Sequence, residues 1–140
     1  MKKRKFKRRM PHSPPPEIRY EIAVFVDGSC KGNGTPDSSM AYGYRFTDIA
    51  TGITGEGSGH LGPGTNDLAE VLAFRKSLEG IAEFCKSKNY PIKLTRVVIH
   101  SDSQFAINTI NGSYKIRHHS VEILAIRNLL RQWGKVEIKK

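Results

Sequence analysis

At 140 residues, 38% of them hydrophobic and 26% charged, the chain is long enough for one domain with a substantial core. Its longest uninterrupted apolar run, residues 22–26, is far too short to cross a bilayer, and no secretory apolar region is present, so no membrane partner is expected. The net charge of +10 is uneven: residues 1–9, MKKRKFKRR, hold seven Lys or Arg and no acid, whereas residues 10–140 carry 16 basic and 13 acidic groups.

The basic arm runs into Pro11 and then Pro14, Pro15 and Pro16, a stiff extended spacer, so residues 1–19 are expected to be disordered. Such an arm serves as an electrostatic tether for nucleic acid, RNA included, or as a nuclear-import signal; the plain alternative is a solubilising tail or an expression remnant. A mitochondrial presequence fits less well, because the run is Lys-dense and lacks an apolar face. Cys30 and Cys85 stand outside any CxxC or Cys/His pattern, which argues against structural zinc and for reduced thiols in an intracellular protein, cytoplasmic or nuclear.

Tyr20 to Val26, YEIAVFV, is rich in β-branched and aromatic residues and reads as a buried strand ending at Asp27-Gly28. Residues 28–39 hold Gly28, Gly32, Gly34 and Pro36 and read as a loop. Ala41 to Thr47 is a second strand and Ile53 to Gly59 a weaker, glycine-rich third, together an antiparallel meander. After HLGPGTND, apolar residues from Leu68 to Cys85 recur at steps of three and four, which predicts a helix over residues 67–87. Leu94 to His100 is a fourth strand, returning parallel to the first by a crossover. Ser103 to Ile110 reads as a short helix, and Ser120 to Trp133 as another, with Ser120 as N-cap and Gly134 as stop. Val136 to Lys139 begins a last strand. The expected fold class is α/β: a five-stranded mixed sheet, strands 1–3 antiparallel and strands 1, 4 and 5 parallel, flanked by helices, over residues 20–140.

Three acids stand at the edges of these elements: Asp27, Glu70 and Asp102. Each has an ordinary structural job on offer. Asp27-Gly28 is a turn dipeptide. Asp67-x-x-Glu70 fits a capping-box pattern. Asp102 lies where a helix N-cap is expected. Taken together they point elsewhere, because Asp27 and Asp102 sit at the carboxyl ends of neighbouring parallel strands, where ligand sites gather in open sheets. Glu70, in the first turn of the long helix, can lean over the same edge. Three converging carboxylates repel one another, and a hard divalent cation removes that penalty.

The segments DGSCKGNG, TNDLAE and HSDSQFAI, in this order and spacing, resemble the type 1 ribonuclease H family, from about Tyr20 to Lys140. The resemblance implies an RNase H-like fold and an endonuclease that hydrolyses the RNA strand of RNA–DNA hybrids with two Mg²⁺ or Mn²⁺ ions. Asp27 would bridge the ions, with Glu70 and Asp102 as further ligands. It also implies nucleic-acid contacts from Gly28, Ser29, Cys30, Asn33, Thr65, Asn66, Ser103 and Gln104, with Thr65 on the DNA side. On their own terms Asn33, Asn66 and Gln104 are amides able to read sugar or base edges in a wide, shallow minor groove, though Asn33 and Asn66 also suit plain turns. Thr65 precedes free helix N–H groups that favour phosphate. Ser103 can contact backbone or cap a helix.

The chain also departs from the family. The family carries a fourth Asp at the start of a final helix and a His loop before it, and no acid follows Glu137 here. The expectation is therefore a C-terminally truncated domain, or a natural variant that binds hybrid as a nucleic-acid-binding scaffold and cuts weakly or not at all. A transposase- or exonuclease-like reaction on the same fold is a third reading. Asp67 stands where the family commonly has an amide. The segment NGSYKIRHHS is too short for the basic handle helix of some members; Lys115, Arg117, His118 and His119 form a small basic loop that either substitutes for it or is merely solvated. Tyr114 is assigned to packing, and His12, His60 and His100 lack metal-ligand spacing. A monomer, or one part of a larger assembly, is expected.

Overall fold

The computed structural model describes residues 17–112 and 119–140. The basic arm through residue 16, and the loop residues 113–118 with Tyr114, Lys115, Arg117 and His118, lie outside them.

Among the described residues the strands are β1 (Tyr20–Lys31), β2 (Ser39–Asp48), β3 (Thr54–Gly62), β4 (Thr95–Ser101) and β5 (Lys135–Lys139), and the helices are α1 (Asn66–Lys88), α2 (Gln104–Asn111) and α3 (Ser120–Leu130). They form one sheet in the order β3-β2-β1-β4-β5. β1 pairs antiparallel with β2 and parallel with β4; β2–β3 is antiparallel and β4–β5 parallel. This is the mixed sheet that the element order predicts.

The alternation of β1 sets the layers. Ile22, Val24 and Val26 are buried on one face and pack into a single core with Val71, Phe74, Leu78 and Ile81 of α1, Ile107 and Ile110 of α2, and Ile123 and Ile126 of α3. Each such side chain contributes about 1.5–3 kcal/mol relative to exposure. The helices thus share one face of the sheet. The opposite face carries no helix among the described residues; there Phe25, 63% exposed, stacks on His100 at a centroid distance of 4.5 Å. Arg96 of β4 ties β1 to β5 on that same side, pairing with Glu21 and with Glu137. Hydrogen bonding from Arg96 holds the Glu137 carboxyl below the usual carboxylate range.

The core-facing positions of β3 are glycines. Gly55, Gly57 and Gly59 lie opposite Phe46, Tyr44 and Tyr42, and a Cβ at Gly57 would fall 2.5 Å from the Tyr44 ring. At the far end of the sheet the fully buried Asp48 accepts hydrogen bonds from Tyr90 Oη at 2.7 Å and Thr51 Oγ1 at 2.9 Å, tying the β2–β3 turn to the segment after α1. That hydrogen bond to Asp48 pushes the Tyr90 hydroxyl up to about 12.

Three boundaries differ from expectation for physical reasons. β1 does not stop at Val26 but runs on to Lys31, because β2 continues to pair with it out to Lys31–Ser39. The expected loop over 28–39 shrinks accordingly. α3 ends at Leu130 rather than Trp133. Trp133 turns into the core at 7% exposure, and the Gly134 N–H bonds to the Ile92 and Thr95 carbonyls, which draws the chain off the helix axis. Ser120 is the first helical residue, with His119 at the N-cap position, so the cap expected of Ser120 falls one residue earlier.

Candidate active site

Asp27 is not at the end of β1; it stands where β1 outruns β4. The parallel pairing closes at Val26–Ser101, so Asp27 and Asp102 are the next residues on two adjacent strands. Both are exposed, and among the described residues neither carboxylate takes part in a hydrogen bond or ion pair.

Glu70 arrives from the other side of the sheet. It is half-buried in the second turn of α1, and it reaches the strand edge because β1 and α1 approach each other at Gly28. A Cβ on Gly28 would lie 2.3 Å from the Ala69 carbonyl carbon and oxygen and 2.5 Å from the Glu70 nitrogen. Only a residue without a side chain admits that contact. The outcome is a narrow cleft of about 20 Å³ whose walls include Asp27, Glu70 and Asp102 together with Val26, Gly28, Ser101 and Ser103. A broader groove of about 760 Å³ opens from Asp27 and Asp102 across the helix-free face, past Phe25, Arg45, Glu56 and His100. The narrow cleft, though much the smaller, is where the three acids meet.

The structural jobs that the sequence offers these acids are held by other residues. Asp27 lies within a strand, and the turn is made further on, at Gly32 to Thr35. The N-cap of α1 is Thr65, whose hydroxyl accepts from the Leu68 N–H at 3.2 Å, so Glu70 lies too far along the helix to close a capping box. The N-cap of α2 is Ser103, not Asp102; its Oγ accepts from the Ala106 N–H at 3.0 Å.

The two loops flanking the cleft are stitched together. Asn33 Oδ1 accepts from the Asn66 N–H at 2.7 Å, which leaves the Asn33 amide hydrogens free to point outward. The Cys30 thiol donates to the Gly64 carbonyl at 3.3 Å, and Ser38 Oγ accepts from the Gly64 N–H at 2.9 Å. The structure therefore gathers Gly28, Cys30 and Asn33 with Thr65 and Asn66, while Ser29 is exposed on the alternate face of β1. Gln104 stands apart, on the exposed first turn of α2, with its amide donating to Asn108 Oδ1 at 2.9 Å. Ser103 is buried, and its hydroxyl proton goes to Glu70 Oε2. The sequence reading missed Ser101, 6% exposed, whose Oγ accepts the Ser103 N–H at 3.1 Å; a Ser-Asp-Ser run at a strand end is the signal that could have found it.

Divalent ions are what the resemblance implies at this cleft, and the donor chemistry fits them. The three side chains offer only hard carboxylate oxygens. Among the described residues no three His, Cys, Asp or Glu side chains close around one point. Mg²⁺ binds through as few as one or two carboxylates and several waters, so the fit rests on the hard oxygen donors and not on a closed ligand cluster. The Ser103 hydroxyl donates to one oxygen of Glu70.

The sequence model of the RNase H family matches residues 19–138. The ribonuclease H of Nitratidesulfovibrio vulgaris is 30% identical over 96 residues, covering 69% of this chain and 52% of that protein. The chain spans about half the length of the curated relatives it matches. In fold it is similar to the RNase H1 of the halophilic archaeon Halobacterium salinarum, with a TM-score of 0.72 over 86% of this chain and 85% of that one at 23% identity. It is similar also to LC11-RNase H1 in complex with an RNA/DNA hybrid, with a TM-score of 0.69 over 85% and 84% at 22% identity. The matched span takes in every strand and helix around the carboxylate cleft, and the chain belongs to the RNase H family.

Proposed function

We propose that this chain is a divalent-metal-dependent endonuclease that hydrolyses the RNA strand of RNA–DNA hybrids. The observation that carries the reading is the cleft itself: three carboxylates brought to one strand edge, each relieved of a structural role by a neighbouring residue. Family membership, and a structural neighbour whose structure holds an RNA/DNA hybrid, support the same reaction.

Asp27, Glu70 and Asp102 would hold the divalent ions, two Mg²⁺ or Mn²⁺ as the family resemblance implies. Bound ions supply water activation and charge neutralisation at the scissile phosphate. The remaining work falls to the chain's own groups. The stitched loops at Asn33 and Asn66 present amides to the minor groove, where a 2′-hydroxyl separates RNA from DNA. At the N-terminus of α1 the Asn66 and Leu68 N–H groups are taken by Asn33 and Thr65, which leaves the Asp67 N–H for a backbone phosphate. The tight packing at Gly28 holds the backbone of Glu70 against β1, one residue from Asp27. Residues 1–19 add affinity for RNA or hybrid without sequence preference. The domain over residues 20–140 acts as a monomer or within a larger assembly, in an intracellular setting; both cysteines are free thiols.

The test is cleavage of a labelled hybrid, a DNA duplex and an RNA duplex in Mg²⁺ and in Mn²⁺. The reading requires cuts in the RNA strand of the hybrid alone. One observation favours a second reading, a hybrid-binding module without hydrolysis: the carboxylates line one cleft but do not close around a point. Hybrid binding without cutting in either metal would favour that module, and cutting of the DNA duplex would overturn both.

A further inference from the structure

We propose that Ser103 is a positioning residue for Glu70, holding one carboxylate oxygen so that the other faces the cleft. The inference rests on the reading of Glu70 as a cation ligand. A serine hydroxyl has one proton and two acceptor lone pairs. Here a lone pair accepts the Ala106 N–H at 3.0 Å, and the proton goes to Glu70 Oε2. Ser103 is 8% exposed, so water does not compete for that proton. Its backbone N–H is anchored in turn on Ser101 Oγ at 3.1 Å, beneath the end of β4.

Three things follow from these bonds. The start of α2 is capped. The backbone of Asp102, held between two buried serines, is set at the strand end. The Glu70 carboxylate, on a long side chain of several rotatable bonds, is held by Oε2, and Oε1 has no partner among the described residues. A free oxygen beside a tethered one is the arrangement of a preoriented metal ligand, whose outer hydrogen bond fixes its direction. This gives the Ser103 hydroxyl a task other than contact with nucleic acid: its proton is already committed.

The experiment compares Ser103→Thr, Ser103→Ala and Ser103→Asp with Glu70→Gln in the full chain. Thr keeps both the cap and the donor. Asp keeps a capping acceptor but brings no proton to Glu70 at neutral pH. Ala removes both. The readouts are Mn²⁺ affinity by calorimetry, kcat and KM for hybrid, and the melting temperature. Ser103→Thr should match the parent within about twofold. Ser103→Ala and Ser103→Asp should both weaken Mn²⁺ binding and lower kcat by about 10–100-fold, with KM for hybrid little changed. Ser103→Asp keeps a capping acceptor but sets a second carboxylate against Glu70, so its melting temperature should fall as well, and Ser103→Thr is the variant that should keep it. Parent-like Mn²⁺ affinity and kcat in Ser103→Ala, beside a loss in Glu70→Gln, overturn the positioning role alone. A rise confined to KM in Ser103→Ala overturns it in favour of nucleic-acid contact. A silent Glu70→Gln overturns the ligand reading of Glu70 and this inference with it.

Discussion

Gly28→Ala is the substitution on which the site geometry turns. The new methyl would stand 2.3 Å from the Ala69 carbonyl group and 2.5 Å from the Glu70 nitrogen. Carbon atoms in ordinary contact sit roughly 3.5–4.0 Å apart, so strand and helix must separate by about 1.2 Å or more. The obstructing atoms are backbone and cannot rotate away. Ala69 and Val71 are fully buried, so the shift also loosens the core behind them. Overpacking of this kind costs about 1–3 kcal/mol, which for a domain this size lowers the melting temperature by about 4–12 °C. The same shift carries Glu70 away from Asp27, and a misplacement of about 1 Å in a catalytic constellation costs on the order of 100-fold in rate. Thermal unfolding by circular dichroism and single-turnover cleavage of a hybrid measure the two effects. Gly52→Ala is the control: its φ of +77° strains any side chain, but nothing lies within 4 Å of the new methyl. It should cost about 1–2 kcal/mol and leave the cleavage rate of the folded protein unchanged. If Gly28→Ala melts and cleaves like the parent, Gly28 does not set the distance between Asp27 and Glu70.

Asp102→Asn should lower kcat by about 10³-fold, the loss of several kcal/mol of charge stabilisation. Its melting temperature should equal or exceed the parent's, because an exposed, unpaired charge beside Asp27 is removed; a drop of many degrees would mean Asp102 is structural after all. Glu137→Gln should flatten the acid limb of stability. The folded carboxyl is held low by Arg96, so its contribution is present above the unfolded value of about 4.3 and is lost as pH falls through the lower folded one. Urea midpoints at pH 7, 4 and 3 measure this, and parallel profiles for variant and parent would count against the pairing. Deleting residues 1–9, with their seven basic groups, should leave kcat at saturating substrate unchanged and make hybrid affinity less steeply dependent on salt. An unchanged slope of log Kd against log salt would show that the arm does not touch nucleic acid.

Much of this was legible in the residues because it was local. The 3.6-residue periodicity from Leu68 to Cys85 marked α1 to within one residue at each end, and the β-branched run before Asp27 marked β1. Asp27, Glu70 and Asp102 stood out because strand ends and helix starts are readable from short windows. What stayed hidden depends on pairing between distant segments. β1 continues through Asp27 to Lys31 only because β2 is there to pair with it, so the dipeptide Asp27-Gly28 imitates a turn. Gly28 reads as a turn glycine, but its work is done against Ala69, 41 positions later. The Thr65 cap displaces the Asp67-x-x-Glu70 capping pattern by setting the helix start one residue earlier than the periodicity does. The bond from Ser103 to Glu70 joins elements whose approach no local pattern encodes.

The row of glycines under the β2 rings has a consequence for how the hairpin finds its alignment. Phe46, Tyr44 and Tyr42 need vacant positions on β3, and every second residue from Gly55 to Gly59 supplies one. A slip of one residue would drive Glu56 or Ser58 beneath the tyrosine rings and turn the glycines toward solvent. A chain that misaligns there meets a collision at once and has no glue to hold the error. The outermost hairpin thus proofreads itself, although its own strand contributes almost no side chains to the interior.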